Sequence, residues 1–583
     1  MIEQGRTAVL PMKFNVLALD YDGTVASHGN LNPDAALAIR EARSRGITVI
    51  LVTGRILSDL HRVMKEVDLF DAIVAENGAV LSFPNGWTRV LGRPASPALL
   101  SRFCDWGIEI AFGDCIIEAD AAEAPRMLQV IKEMHLPLML VFNHSRVMVL
   151  PQGITKASGL RVALDTMRLS LHNCIGIGDG ENDHSLLDAC EIGVAVSWGS
   201  AALQDIADHI LKGDGPEAVA GYIRKVSLES KLPPQRAKER SVLLGETATG
   251  QVKTSLLGRN ILIAGDPRSG KSWIAGLFAE DLLLHGYCLC VIDPEGDYAS
   301  LESLPGVVVF HEAEPPTLSA VTRALRHPDT SIVIDLSGLD HEEKLTYVHE
   351  LLPMLAQLRR KTGLPHWIVV DEAHYFLNQP NAERWVDFEL AAYVLITYRP
   401  SHLPQALLQA AGTIIVTSLT DSREVETLTK LNGTDGHEFR WDEALGGLGI
   451  CEAAIVPRFP SEGQYPKRFT IAPRLTTHVR HRAKYIEVPM PSERAFHFTC
   501  NGRNFGPPAR TLKEFVSFQS RLPPEAIEEH ARRGDFSRWI GKVFGDQPLA
   551  TAILKVEEQY RHGRIKNLSE ALNRPISDRY ELT

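Results

Sequence analysis

Two stretches of this chain alternate short, β-rich apolar runs with helical patterns, and that rhythm constrains the fold more than any other feature. The first stretch, residues 14–226, contains Phe14–Leu19, Ile47–Val52, Ala72–Ala75 and Cys174–Ile177, each followed by a turn and a helical pattern. The second, from about 260 to 417, contains Ile261–Ala264, Cys288–Ile292, Ser331–Ile334, Trp367–Val370 and Gly412–Val416. Strands that return through helices pair in parallel, with helices on both sheet faces. A chain of 583 residues exceeds one core, so three or four domains are expected. Between the blocks, residues 228–240 are polar and Pro-containing and read as a linker. Roughly the last 80 residues lack the alternation and read as short amphipathic helices, such as Pro524–Arg532 and Leu549–His562.

In open α/β sheets, ligands bind beyond the carboxyl ends of the strands. Leu19-Asp20-Tyr21-Asp22-Gly23-Thr24 lies at such an end. Carboxylates at i and i+2 leave an extended strand on the same side. One can attack phosphorus while the other protonates the leaving oxygen and later activates water. Two adjacent carboxylates repel each other and a phosphate, so the site needs a divalent cation, and all-oxygen ligation suits Mg²⁺. Leu51-Val52-Thr53-Gly54-Arg55 ends the next strand with a hydroxyl and free backbone N–H groups. Lys156 can balance charge, and Gly178-Asp179-Gly180-Glu181-Asn182-Asp183 supplies two more carboxylates after Cys174–Ile177.

These segments, in this order, resemble the haloacid-dehalogenase (HAD) superfamily of phosphatases over residues 14–226. The resemblance implies that Asp20 is the nucleophile and Asp22 the general acid/base. It implies that Thr53, Gly54 and Lys156 bind the phosphoryl group, and that Asp20, Asp179, Asp183 and the Asp22 backbone carbonyl hold Mg²⁺. Ala75-Glu76-Asn77-Gly78-Ala79 resembles the Cof-type branch, which inserts an α+β cap at this point. The expected layout is a Rossmann-like core, 1–82 and 151–227, with a cap at 83–150 that closes over substrate. Asn143, His144 and Arg146 are candidate cap contacts, each read first as a surface residue.

Gly265-Asp266-Pro267-Arg268-Ser269-Gly270-Lys271-Ser272 matches the P-loop pattern, placed after an apolar strand and before the helical run Trp273–Leu284. Glycines let backbone N–H groups wrap phosphates, Lys271 reaches the β/γ oxygens of ATP, and Ser272 binds Mg²⁺. The strand ending Asp371-Glu372 offers a metal ligand and, in Glu372, a group to polarise the attacking water. A kinase brings a hydroxyl acceptor instead, so this pair favours hydrolysis.

The extra strand before Asp371, and Val394-Leu-Ile-Thr-Tyr-Arg-Pro400 after it, resemble the HerA/FtsK branch of ring ATPases over residues 240–485. There a similar strand ends T-Q-R-P and its Gln senses the γ-phosphate; here Tyr398 stands at that position. Leu243-Leu-Gly-Glu246 through Leu256-Leu-Gly-Arg259 resembles the small β segment that opens such domains, and Arg474–His481 a tail of prokaryotic members. The resemblance implies a RecA-like parallel-sheet ATPase at 242–485, after a linker at 228–241, assembled as a homo-oligomeric, hexameric ring. It also implies an arginine from the neighbouring subunit, for which Arg399, Arg423 and Arg440 are candidates, with Arg399 also a candidate sensor. The full expectation is a multidomain α/β chain with a basic and helical C-terminal region at 486–583. In that region Phe536, Trp539, Ile540 and Val543 form a core stripe.

Net charge is −11, yet residues 458–513 carry 11 Lys/Arg against 3 Asp/Glu, a stretch that can meet a phosphate backbone or serve as a solvated face. Eight scattered cysteines without a C-x-x-C pair read as reduced core thiols, with Cys288 and Cys290 on one face of a strand. No apolar run reaches the roughly 18 residues of a membrane span, and Ala8–Leu10 before Pro11 is no signal peptide, so a cytoplasmic enzyme is expected. Three functions stay open: a phosphatase fused to a HerA-like ATPase acting on DNA, a nucleic-acid end-repair kinase/phosphatase, and an ATP-regulated phosphatase of a sugar phosphate or nucleotide.

Overall fold

The computed structural model describes residues 13–64, 66–143, 145–228, 241–256, 260–311, 314–379, 382–387, 390–431, 441–449, 451–456, 466–476, 495–500, 503–519, 521–544 and 547–580. The expected linker, His144, Arg440, the tail beyond Thr476 and much of the basic stretch lie outside the described residues. The chain forms two compact units, Met1–Pro294 with Tyr298–Thr477, and Glu295–Asp297 with His478–Thr583.

The first unit holds two large sheets. One runs, in spatial order, His209–Leu211, Ile192–Val196, Cys174–Gly178, Val16–Leu19, Thr48–Val52, Ala72–Ala75, Val80–Ser82 and Thr88–Val90. It is parallel as far as Ala72–Ala75, and the last two strands are antiparallel. Its central strands are apolar and buried at every position except Thr48, a partly buried strand end, as strands covered on both faces must be. The helix Pro33–Ser44 starts with Asn32 accepting from the N–H groups of Asp34 and Ala35 and with Pro at its first position.

The inserted domain begins later than its expected start at 83. Thr88–Val90 pairs with Val80–Ser82, so residues 83–90 close an edge hairpin of the main sheet. The separate antiparallel sheet, ordered Leu138–Asn143, Arg146–Pro151, Ile117–Asp120 and Ala111–Phe112, is built with the helices Pro97–Asp105 and Ala124–Glu133. The reason is local: Ser82 and Thr88 hydroxyls lie 3.2 Å apart across a tight turn, which continues the sheet.

The second large sheet has 11 strands. Seven parallel ones, from Ala411–Val416 through Asn260–Ala264, Tyr393–Thr397, Trp367–Val370, Leu289–Asp293 and Ser331–Asp335 to Val307–Phe310, form its core. An antiparallel flank joins Glu452–Val456, Lys467–Ile471, Ser241–Thr247 and Gly250–Ser255. Cys288 and Cys290 are buried on one face, as their spacing suggests, and burial pushes the Cys288 thiol up to about 12. All eight cysteines are free.

Hydrogen bonds tie the two sheets' domains together. The Asn15 amide donates to Thr362 O at 2.9 Å, and the Asn173 amide donates to Gly363 O at 3.5 Å. His366 accepts from the Cys288 N–H at 2.8 Å on Nδ1, so its Nε2–H donates to Asn173 Oδ1 at 3.2 Å. His172 lies 2.7 Å from Glu191, donates to His285 O at 2.9 Å and stacks on Tyr287 at 3.8 Å. Burial, together with His172 and Arg359, holds the His366 pKa well below its ordinary value, which fits a neutral ring bonded at both nitrogens.

The second unit packs Phe496, Phe498, Phe515, Phe536, Trp539 and Ile540 into one core, with the expected stripe facing inward and Val543 packed against it. Its helices include Pro524–Arg533 and Gln547–Arg561, close to the expected spans. Gly534 ends the first of these at φ +68, which lets the chain turn.

Candidate functional sites

The first site forms where Val16–Leu19 and Cys174–Gly178 end side by side. Asp20 follows the first strand, and Asp179 and Asp183 follow the second. Their carboxylate oxygens lie within 4.8 Å of one another. Lys156 is placed here by helix capping: Thr155 and Ser158 make a reciprocal capping box, which puts Lys156 at the first helical position. Its Nζ bonds Asp20 Oδ1 at 2.5 Å and Asp183 Oδ1 at 2.5 Å while only 1% exposed. Asp183 Oδ2 accepts the N–H groups of Asp179 at 3.1 Å and Gly180 at 3.0 Å, which fixes the acidic loop. Gly23 is required here: at φ +77, a Cβ would sit 2.1 Å from Asp179 Oδ2.

Burial raises the Asp20 pKa well above the ordinary carboxylate range. Asp183 and Asp179 add to that, and Lys156 opposes it. Burial also works against the charge on Lys156, but Asp183 and Asp20 outweigh it and hold the amine above its usual range. Three converging carboxylates share one ammonium, so with all four groups ionised the cluster is two positive charges short of balance. An all-oxygen donor set with surplus negative charge fits a hard divalent cation.

Thr53 ends the neighbouring strand, buried, with its hydroxyl accepting the Arg55 N–H at 3.1 Å. The Asp22 side chain is held apart from Asp20 by a bidentate pair with Arg55, both contacts at 2.6 Å. Arg55 stands two residues after Thr53, inside the quoted strand-end motif, but its role there was not legible from the motif. Two further residues were missed in the same way. The Glu76 carboxylate accepts the N–H groups of Asp114, Cys115 and Ile116 and so anchors the cap to the core. Asn182 donates to Asn77 Oδ1 at 3.2 Å, joining the acidic loop to the segment before the cap. From the cap itself, Asn143 Oδ1 approaches the acidic loop, 2.8 Å from where a Gly180 Cβ would stand. It is buried and bonded to none of the described residues. Arg146 instead pairs with Glu118 at 2.7 Å.

The second site lies at the ends of Asn260–Ala264, Trp367–Val370 and Tyr393–Thr397, which are neighbours in the sheet. Gly270 at φ +104 turns the loop into the helix Lys271–Leu284. Lys271 Nζ donates to Asp266 O at 3.0 Å and lies 5.9 Å from the Tyr398 ring centre. Asp266 also accepts from the Thr420 N–H at 3.1 Å and hydroxyl at 2.7 Å, and Ser269 bonds Thr417, so the loop is pinned to the segment after Ala411–Val416. Asp371 is buried and accepts the Glu372 N–H at 2.8 Å. Glu372 holds a left-handed backbone, φ 46, an expensive conformation for a side-chain-bearing residue. His374 lies two residues past Glu372. Its Nδ1 lies 3.2 Å from the Thr397 hydroxyl and 3.5 Å from Glu372, and it packs on Tyr398. Burial first, then Lys271, His402 and Arg399, lower its pKa to about 3, so the ring is neutral. Arg399 is exposed with its guanidinium 5.2 Å from the Tyr398 ring, and Arg423 lies on the helix Ser422–Leu431.

Fold and family matches define a hydrolase with candidate sites at two sets of strand ends. Residues 17–110 and 108–223 match the haloacid dehalogenase-like hydrolases, and residues 251–360 match the central domain of the helicase HerA. The chain is therefore a HAD-type phosphatase domain fused to a HerA-like P-loop domain. A phosphoglycolate phosphatase of Methanothermobacter thermautotrophicus is 28% identical over 216 residues, covering 36% of this chain and 97% of that protein. One from Sulfolobus acidocaldarius is 26% identical over 218 residues, covering 36% and 96%. A solved haloacid dehalogenase-like hydrolase from Bacteroides thetaiotaomicron covers 37% of this chain and 100% of its own, at 18% identity and a TM-score of 0.33. Among the described residues no helix is long and apolar enough to cross a membrane.

Proposed function

We propose that this chain is a bifunctional cytoplasmic enzyme, a Mg²⁺-dependent phosphatase joined to an ATP hydrolase of the HerA type. The buried Asp20–Lys156–Asp183 cluster carries the reading, because it fixes one carboxylate beside an ammonium at the end of a parallel strand. Asp20 attacks phosphorus, the bond from phosphorus to the leaving oxygen breaks, and Asp22 gives that oxygen its proton. Water then gives a proton to Asp22 and attacks the aspartyl phosphate. The bond from Asp20 to phosphorus breaks, and inorganic phosphate leaves. The Thr53 hydroxyl, the Gly54 backbone and Lys156 hold the phosphoryl oxygens. Asp20, Asp179, Asp183 and the Asp22 carbonyl would hold Mg²⁺, which would supply the charge that lets an anionic nucleophile approach an anionic substrate. Asp22 must leave Arg55 to act, so this pair holds the acid in reserve. The substrate is a small phosphomonoester, in keeping with relatives named phosphoglycolate phosphatase, and Asn143 is the cap residue that meets it.

At the second site the Gly265–Ser272 loop binds the phosphates of ATP, with Asp266, Pro267, Arg268, Ser269 and Gly270 forming its turn, Lys271 on the terminal oxygens, and Ser272 and Asp371 on Mg²⁺. Glu372 takes a proton from water, water oxygen bonds to the γ-phosphorus, and the β–γ bridge breaks to release ADP and phosphate. Copies assemble as a ring in which Arg399 or Arg423 completes a neighbour's site, and DNA is met by residues 458–513.

Asp20→Asn should abolish hydrolysis of p-nitrophenyl phosphate and spare ATP hydrolysis, and Lys271→Ala should do the reverse; retained phosphatase activity in Asp20→Asn would refute the nucleophile. Light scattering with ATP bound should give a mass of several chains, and a monomer would remove the ring. Transfer of label from ATP to 5′-hydroxyl DNA would replace this reading with end repair.

A further inference from the structure

Both catalytic ends of the first unit leave its opposite side unaccounted for. On that side, where the first sheet's strands begin rather than end, a cavity of about 360 Å³ opens between the phosphatase core and the ATPase. Its lining brings together five cationic side chains, Lys13, Arg45 and Arg168 from the phosphatase part and Arg326 and Lys361 from the ATPase part. No carboxylate lines it, and none of the five side chains makes a hydrogen bond or ion pair with a described residue.

The bland explanation is helix capping. Arg45 follows the helix Pro33–Ser44, Arg168 follows Lys156–Met167, and Lys361 lies in the last turn of His341–Thr362. Each helix end presents about half a negative charge. Three such ends offset about 1.5 of the five positive charges and leave a surplus of about 3.5 in one concavity. A cleft of one sign between low-dielectric walls concentrates counter-ions, so the surplus selects an anion. Asn15 adds a second kind of contact. It is 8% exposed, its amide N–H is spent on Thr362 O, and its Oδ1 has no partner among the described residues. That oxygen accepts from a donor on the ligand. Phe14, Ile47 and Leu364 supply an apolar wall.

We propose that this cavity is a third phosphate-binding site, distinct from both catalytic centres, which takes a small phosphorylated ligand with a hydrogen-bond donor, of nucleotide size. The volume falls within the range of small-molecule sites. A volume of about 360 Å³ holds one nucleotide, whereas a polymer backbone spreads its contacts along a longer groove. Because Arg168 comes from one domain and Lys361 from the other, a bound ligand bridges the phosphatase to the ATPase. The inference does not depend on the chemistry assigned to either catalytic centre.

The test uses the full chain carrying Asp20→Asn and Lys271→Ala, so that both catalytic centres are disabled, with ADP as the probe in equilibrium titration. One ADP should still bind per chain. Adding Arg168→Gln with Lys361→Gln should weaken it by about tenfold, about 1.4 kcal/mol. If that pair lowers the melting temperature, Arg45→Gln with Arg326→Gln serves as a second, independent pair, all four residues being exposed. No saturable ADP binding, binding that ignores both pairs, or binding by a twelve-nucleotide single strand but not by ADP would each overturn the proposal.

Discussion

The two candidate sites sit at equivalent sheet ends but are built on opposite plans. At the first, the cation and carboxylates are already joined: Lys156 bonds Asp20 and Asp183, and Asp183 grips two backbone N–H groups of its own loop. At the second, Lys271 rests on the carbonyl of Asp266, Glu372 sits in a left-handed conformation, and Arg399 lies exposed on Tyr398. The first plan suits a reaction that one chain completes with its own nucleophile. The second suits a reaction whose charges arrive with the nucleotide.

The largest test exploits that difference. Lys156→Ala leaves two buried carboxylates without their counter-charge, which should cost about 3–5 kcal/mol of stability and lower phosphatase turnover by about a thousandfold or more. Lys271→Ala should lower ATP hydrolysis as severely while changing stability by only about 1 kcal/mol. Urea unfolding without metal or nucleotide measures both, read as a shift in midpoint at constant slope. Equal destabilisation by the two substitutions would erase the contrast.

Gly23→Ala probes the same rigidity more gently. The new Cβ would meet Asp179 Oδ2 at 2.1 Å on a backbone at φ +77, and the loop that carries Asp179 is tied to Asp183. Displacement of one carboxylate by such an overlap should lower phosphatase turnover about a hundredfold. The expected signature is a fall in kcat with ATP hydrolysis unchanged. A rate within twofold of the parent's, about the scatter of such assays, would mean that the loop gives way.

The same two regions explain what was legible in the sequence. Strand ends and their motifs could be read because apolar runs on both faces force buried parallel strands, and acids just past them can only face the ligand side. Ala72–Ala75 and Trp367–Val370 fall at the expected residues for that reason. Partnerships across long sequence separations could not be read. Nothing in the order of residues ties Glu76 to the N–H groups of 114–116, or Asn173 to His366 across 193 positions. The cap's start was misplaced because a hairpin that extends the main sheet and one that opens an insertion have the same local pattern. The cavity between the domains was also out of reach, since its five cations come from five separate segments.

Acid should separate the regions thermodynamically. His366 and His374 have depressed pKa values, so the folded state keeps them neutral while the unfolded chain protonates them near 6.5. Their contribution is complete above about pH 6.5 and is lost as pH falls toward the folded value, about 3 for His374, at up to about 1.4 kcal/mol per pH unit for each. Asp20 has the opposite sign. Its raised pKa makes the folded state the better proton binder above the usual carboxylate value, so acidification relieves the metal-free phosphatase site. In EDTA, melting from pH 7.5 down to about pH 4.5, just above the ordinary carboxylate value, should therefore show destabilisation that His366→Gln reduces and Asp20→Asn steepens. A slope that ignores both substitutions would contradict these assignments.

The smallest expected effect concerns Tyr398, which occupies the position where HerA-like strands carry Gln. The hydroxyl of Tyr398 makes no hydrogen bond with a described residue. The ring is what the structure uses: it lies 4.3 Å from His374 edge to face, 5.2 Å from the Arg399 guanidinium and 5.9 Å from the Lys271 ammonium. A ring face stabilises cations by about 0.5–1 kcal/mol at exposed sites, and that contribution needs no hydroxyl. Tyr398→Phe should therefore leave ATP hydrolysis within about twofold, whereas Tyr398→Ala should lower it about threefold to fivefold by releasing Arg399 and His374. Tyr398→Gln separates the two ways this position can work. If the ring only orders its neighbours, Gln behaves like Ala; if the strand still presents a γ-phosphate sensor, Gln raises kcat above the parent. A large loss in Tyr398→Phe would show instead that the hydroxyl takes part once ATP is bound, and the second site would then complete itself from its own chain as the first one does.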